Sequence, residues 1–115
     1  MTREEYLDFC REIAGATVDQ PFNEDFETYI ARHADNQKWF SAILWHEGRV
    51  LINLKCDPIE GEFLKSVYDG IVPAYHMNKT HWITVYPESD VPDELIRQLT
   101  MNSFRMTETK RRKKT

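Results

Sequence analysis

"KWFSAILWHEGRVLINLK" (residues 38–55) reads as two strands joined by a two-residue turn. In its second half Val50, Ile52 and Leu54 alternate with Asn53 and Lys55, the period of a strand with one buried face. The first half is apolar on both sides, as a central strand requires: Trp39, Ile43 and Trp45 fall on one face, Phe40, Ala42 and Leu44 on the other. "EG" (47–48) between them is short enough for a hairpin connection. Upstream, "FETYIARH" (26–33) has strand character and is linked through "ADNQ" (34–37), which makes the three runs an antiparallel meander. If helices cover only one side of this sheet, part of the other side carries exposed aromatic surface.

Helix signals flank the meander. Thr2 followed by Glu5 is a capping-box pattern, and Tyr6, Phe9, Cys10 and Ile13 recur at helical spacing over about residues 2–14, with Gly15 placed to end the helix. "TVDQPFNED" (17–25) is turn chemistry. Asp57 and Pro58 open a second helix as cap and first residue, Glu60 complements its dipole, and Ile59, Phe63, Leu64 and Val67 form one apolar stripe that ends near Gly70. "IVPAYHMNKTHW" (71–82) has extended ends, "WITVYP" (82–87) is a further strand, and Pro92, Asp93 and Glu94 open a last helix with Leu95, Ile96 and Leu99 inward. After Met106 no period remains, so "TETKRRKKT" (107–115) is expected to be a disordered basic tail. This order predicts a single α+β domain over residues 1–106, two-layered, with an antiparallel sheet and helices packed on one face.

Length and composition agree with one core: 115 residues is too short for two ordinary domains of roughly 100–150 residues each. A 41% hydrophobic content removes a wholly disordered chain. No apolar run approaches the roughly 20 residues a membrane helix needs, and "MTREEYLDFC" lacks the basic start and apolar stretch of a signal peptide, so a cytoplasmic location without a membrane partner is expected. The net charge of −4 hides an asymmetry. Residues 1–109 carry ten basic and nineteen acidic groups, a net −9, while Lys110, Arg111, Arg112, Lys113 and Lys114 form a basic run.

"AYHMNKTHW" (74–82) is the densest cluster of chemistry-bearing side chains. His76 and His81 are five apart, do not share a helical face and have no cysteine between them, which disfavours a metal site. Cys10 and Cys56 show no C-x-x-C spacing and have no histidine nearby in sequence, no G-x-S-x-G elbow occurs, and the four glycines are isolated, so an enzyme would have to assemble its site from scattered groups. Cys10 is expected to be a buried inert thiol, and His33 and His46 fall near strand ends as surface residues. Tyr75, Met77 and Trp82 can pack beneath a turn shaped by Asn78 with Lys79 solvated; equally, His76, Asn78, Lys79 and His81 present donors beside an aromatic platform suited to phosphate and base contacts.

The stretch "LKCDPIEGEFLKSVYDGIVPAYHMNKTHWITVYPESDVPDELIRQL" (54–99), with "YLDFC" (6–10) and "GATVDQPF" (15–22), resembles the MmcQ/YjbR family of small single-domain bacterial proteins described as DNA-binding. The resemblance covers nearly all of residues 1–104 and implies a frataxin-like (CyaY-like) two-layer α+β fold and a non-enzymatic role. It implies DNA as partner, single- or double-stranded, through His76, Asn78, Lys79, His81 and Trp82. The charge layout adds Lys55 and the tail Lys110, Arg111, Arg112, Lys113 and Lys114, while the −9 body opposes duplex binding unless its cations cluster. Two further readings stay open: a protein-interaction or self-association module using an exposed aromatic sheet face, and a small-ligand binder or enzyme with a pocket at His76 and His81.

Overall fold

Between the two strands of residues 38–55 the backbone is left-handed twice, at Glu47 (φ 51°) and Gly48 (φ 75°). That pair is what a type I′ hairpin turn needs, because its twist matches the right-handed twist of the strands it joins. The protein is described by a computed structural model that covers residues 1–25 and 27–110. Phe26 at the start of the expected strand 26–33, and the tail residues Arg111, Arg112, Lys113 and Lys114, lie outside the described residues.

The chain runs α1 (Arg3–Glu12), β1 (Ala16–Asp19), β2 (Tyr29–His33), β3 (Trp39–His46), β4 (Arg49–Lys55), α2 (Pro58–Val67), β5 (Ile71–Pro73), β6 (Trp82–Val85) and α3 (Asp93–Met106). Six strands form one sheet in the order β1-β2-β3-β4-β6-β5, antiparallel at every pairing. The expected meander is β2-β3-β4. β1 falls where only turn chemistry was expected: its four residues are too few to display a period, and Gly15 (φ 84°) reverses the chain into it.

Helices from all three segments meet the sheet in one core. Tyr6, Leu7 and Cys10 of α1, Leu64 of α2, and Ile96, Leu99 and Phe104 of α3 close over Ile43, Ile52, Leu54, Ile83 and Val85. The architecture is therefore a two-layer α+β fold. Among the described residues no helix is long and apolar enough to cross a membrane.

One irregularity decides which side chains face where. Ala31 pairs with Ser41 but Arg32 pairs with Trp39, so Phe40 is an extra residue in β3, a β-bulge. Phe40 consequently turns toward the helices, its ring 5.0 Å from Phe104, while Trp39 turns to the opposite face and meets Phe22 at 6.3 Å. Strict alternation had assigned these two residues the other way round. Ser103 fills the gap the bulge opens: its hydroxyl donates to the Phe40 carbonyl at 2.6 Å and accepts from the Lys55 amide at 2.9 Å.

Three further expectations are corrected. His33 is buried, 3% exposed, with its ring stacked 4.2 Å from Phe104 and Nε2 at 2.8 Å from the Thr107 hydroxyl. Ordered packing continues past Met106, since Thr107 is buried and Asn36 donates to the Thr107 carbonyl and the Thr109 hydroxyl. The apolar stripe of α2 splits. Gly61 and Leu64 face the sheet, whereas Ile59, Phe63 and Val67 point to solvent, 82%, 64% and 51% exposed.

Candidate functional site

With the helices on one face, the other face of the sheet is covered, among the described residues, by irregular chain. Asn53 and Thr84 give its floor a buried polar pair. Asn53 of β4 pairs with Thr84 of β6, both are buried, and the Thr84 hydroxyl donates to the Asn53 carboxamide oxygen. This pair holds the segment that follows β5: the Asn53 amide donates to the Tyr75 carbonyl at 2.8 Å, and the Tyr75 amide donates to the Thr84 hydroxyl at 2.8 Å. A polar residue inside the otherwise apolar run of β4 is thus a clamp for the 74–82 segment, where alternation alone had read Asn53 as solvent-facing.

Clamped this way, the segment lays Tyr75 across the sheet. Its ring lies 4.3 Å from that of His46 and 3.9 Å from that of His76, and its hydroxyl is 3.1 Å from His46 Nδ1. His46 is therefore half-buried against Tyr75 and not a free surface residue. His76 is left-handed (φ 57°), an uncommon conformation for a side-chain-bearing residue. Tyr75, His76 and Met77 then form one wall of a groove of about 130 Å³. Phe22 and Trp39 line it from the β2–β3 side, with Ile30, Ala42 and Leu44 beneath.

The remaining motif residues belong to the end of the sheet. The Asn78 carboxamide oxygen accepts from the amides of Thr80 and His81, at 2.9 and 3.0 Å, so this side chain shapes the turn. The Asn78 and His81 carbonyls accept from the amides of Trp82 and Cys56, which docks the turn onto β4 and starts β6. Lys55 pairs with Trp82 directly opposite it. Both face away from the helices, one outward position along from Asn53 and Thr84. Lys79 lies in a separate cleft with Asp57, Pro58, Gly61, Glu62 and Lys65, beside the start of α2.

The predicted site residues are thus divided. Lys55 and Trp82 lie opposite each other at one sheet end, where the His81 carbonyl is bonded to the Cys56 amide; His76 lines the groove, and Lys79 lines the cleft that also holds Asp57 and Glu62. His81 does not line the groove that His76 lines, so the two histidines do not share it. Lys110 is exposed beyond α3. Phe22, Tyr75 and Met77 were not assigned a binding role from the sequence. Only their spacing around the sheet, set by the bulge and the Asn53 clamp, gathers them.

The thiols stand apart from this surface. Burial pushes Cys10 up to about 12 and Cys56 up to about 11, so neither is a thiolate at neutral pH.

Comparison with known proteins agrees with the fold. The YjbR family model matches residues 11–106. The chain is 32% identical to the Bacillus subtilis protein YyaQ over 93% of its own length and 98% of that protein. It is 31% identical to YjbR of Escherichia coli K12 over 90% and 85% of the two chains. A crystal structure of a Pseudomonas syringae protein superimposes with a TM-score of 0.85 at 30% identity, covering 94% of this chain and all of that one. A Deinococcus radiodurans crystal structure superimposes with a TM-score of 0.79 at 29% identity over 91% and 77% of the two chains. A family model that spans most of the chain, and relatives matched along nearly their whole length, make this chain a member of the YjbR family.

Proposed function

We propose that the protein is a non-enzymatic binding module whose open sheet face takes single-stranded nucleic acid. The observation that carries this reading is the aromatic-walled groove of Phe22, Trp39, Tyr75 and His76 on a sheet face that also presents Lys55 and Trp82. Splayed bases stack on such walls in a sequence-tolerant way, and a cation at the groove's end meets the backbone. A duplex offers no unstacked bases, and its denser phosphate charge meets more repulsion from the net −9 of residues 1–109 than a single strand does. Two of the polar side chains lining the groove are already committed, Asn53 to the Tyr75 carbonyl and Thr28 to the Asp25 carboxylate, which supports binding without catalysis. Lys110 to Lys114 add a sequence-independent electrostatic contribution.

Fluorescence anisotropy of labelled single-stranded and duplex DNA tests this, using the full chain and a chain ending at Thr109. The expected outcome is saturable single-strand binding by both forms, weaker without the tail, and lost by roughly tenfold or more in Trp39→Ala. Binding only by the full chain, with Trp39→Ala equal to wild type, would assign the activity to the tail and refute the groove.

A further inference from the structure

α2 is built the wrong way round for a helix that only serves the core. Gly61, whose added Cβ would meet Ile83 Cγ2 at 3.3 Å, and Leu64 face the sheet. Ile59, Phe63 and Val67 occur every fourth residue and so form one continuous ridge pointing into solvent. A contiguous ridge of large apolar side chains costs solubility and contributes nothing to the packing beneath it, which makes it a mark of an interaction surface. The ridge lies on the helix layer, opposite the groove, and is independent of the nucleic-acid reading.

The charge around the ridge selects its occupant. Residues 57–69 hold Asp57, Glu60, Glu62 and Asp69 against one cation of their own, Lys65, whose ammonium is held by Glu62 at 2.9 Å; Lys79 shares the cleft of Asp57 and Glu62, and Glu60 beside the ridge is in no ion pair among the described residues. We propose that the α2 ridge docks a segment of a partner protein that carries apolar and basic side chains together, an amphipathic basic helix laid along Ile59, Phe63 and Val67. Its apolar side would cover Phe63 while its lysines or arginines meet Glu60. A second copy of this chain fits worse, because two ridges that each carry net negative charge would be brought face to face. Nucleic acid fits worse for the same reason.

The probe is a labelled helical peptide of leucine and lysine with leucines at the i, i+3, i+4, i+7 spacing, against a leucine and glutamate counterpart, titrated into the full chain. The expected result is saturable binding of the lysine peptide, weakened roughly tenfold or more in Phe63→Ser. Glu60→Lys should weaken it as well, and the glutamate peptide should bind worse than the lysine one. Phe63→Ser should melt close to wild type, since its side chain is exposed, and should keep its single-strand DNA affinity. Equal binding of the lysine peptide by wild type and Phe63→Ser, equal binding of both peptides, or no saturation would overturn the proposal. So would concentration-dependent dimers in sedimentation that Phe63→Ser abolishes, because the ridge would then be covered by a second copy.

Discussion

Ser103 joins three elements with one hydroxyl. The bulge at Phe40 leaves the Phe40 carbonyl and the Lys55 amide without partners across the sheet, and the α3 serine satisfies both. Ser103→Ala removes little volume yet orphans a buried acceptor and a buried donor, so it should cost about 1–3 kcal/mol, read from urea denaturation. A loss within experimental error would mean that water or a shifted strand replaces the serine. Tyr6 acts similarly. Thr100 donates to the Ile96 carbonyl, so the Tyr6 hydroxyl donates to Thr100 and accepts from Ser41, tying α1 and α3 to β3. Burial holds this phenol well above the usual tyrosine range. Neither role was legible from sequence, because a serine or tyrosine on a helix looks the same whether its hydroxyl meets water or a stranded carbonyl.

At the scale of elements, the hairpin of β3 and β4 was readable because two signals agreed: alternation on both sides and a turn of two residues. The turn itself is not optimal. Glu47 sits at φ 51°, where a residue with a Cβ is disfavoured and asparagine is better tolerated. Glu47→Asn should therefore raise stability by about 0.5–1 kcal/mol, seen as a higher melting temperature, and no change or a fall would contradict the type I′ assignment. The faces of β3 were harder to read, since one inserted residue at Phe40 exchanges the sides of Trp39 and Phe40 and no local sequence cue marks the insertion. α2 was legible as a helix through Asp57 and Pro58. Its orientation was not, because periodicity shows that Ile59, Phe63, Leu64 and Val67 share a broad stripe without saying which edge of that stripe meets the sheet. That choice falls to Gly61, which lets the helix sit close over Ile83.

The whole molecule presents two opposite surfaces. The helix layer supplies the core and displays the α2 ridge, while the open sheet face holds the Asn53-anchored segment 74–82 and the aromatic groove. The candidate site was partly legible: Lys55 and Trp82 are brought together at one sheet end, yet Lys79 lines the α2 cleft with Asp57 and Glu62, a placement fixed by the Asn78 turn that spacing does not reveal. The three tryptophans report on the central claim directly. Trp39 and Trp82 face the open side, whereas Trp45 pairs with core-facing Val50 and projects at the far end of the sheet on the helix side. The decisive measurement is a titration of single-stranded DNA followed through the three indole N–H signals of the nitrogen-15-labelled full chain. The account predicts that the Trp39 and Trp82 signals shift together and saturate while the Trp45 signal stays in place. Shifts at Trp45 alone, or changes confined to residues from Lys110 onward with all three indoles unmoved, would contradict it.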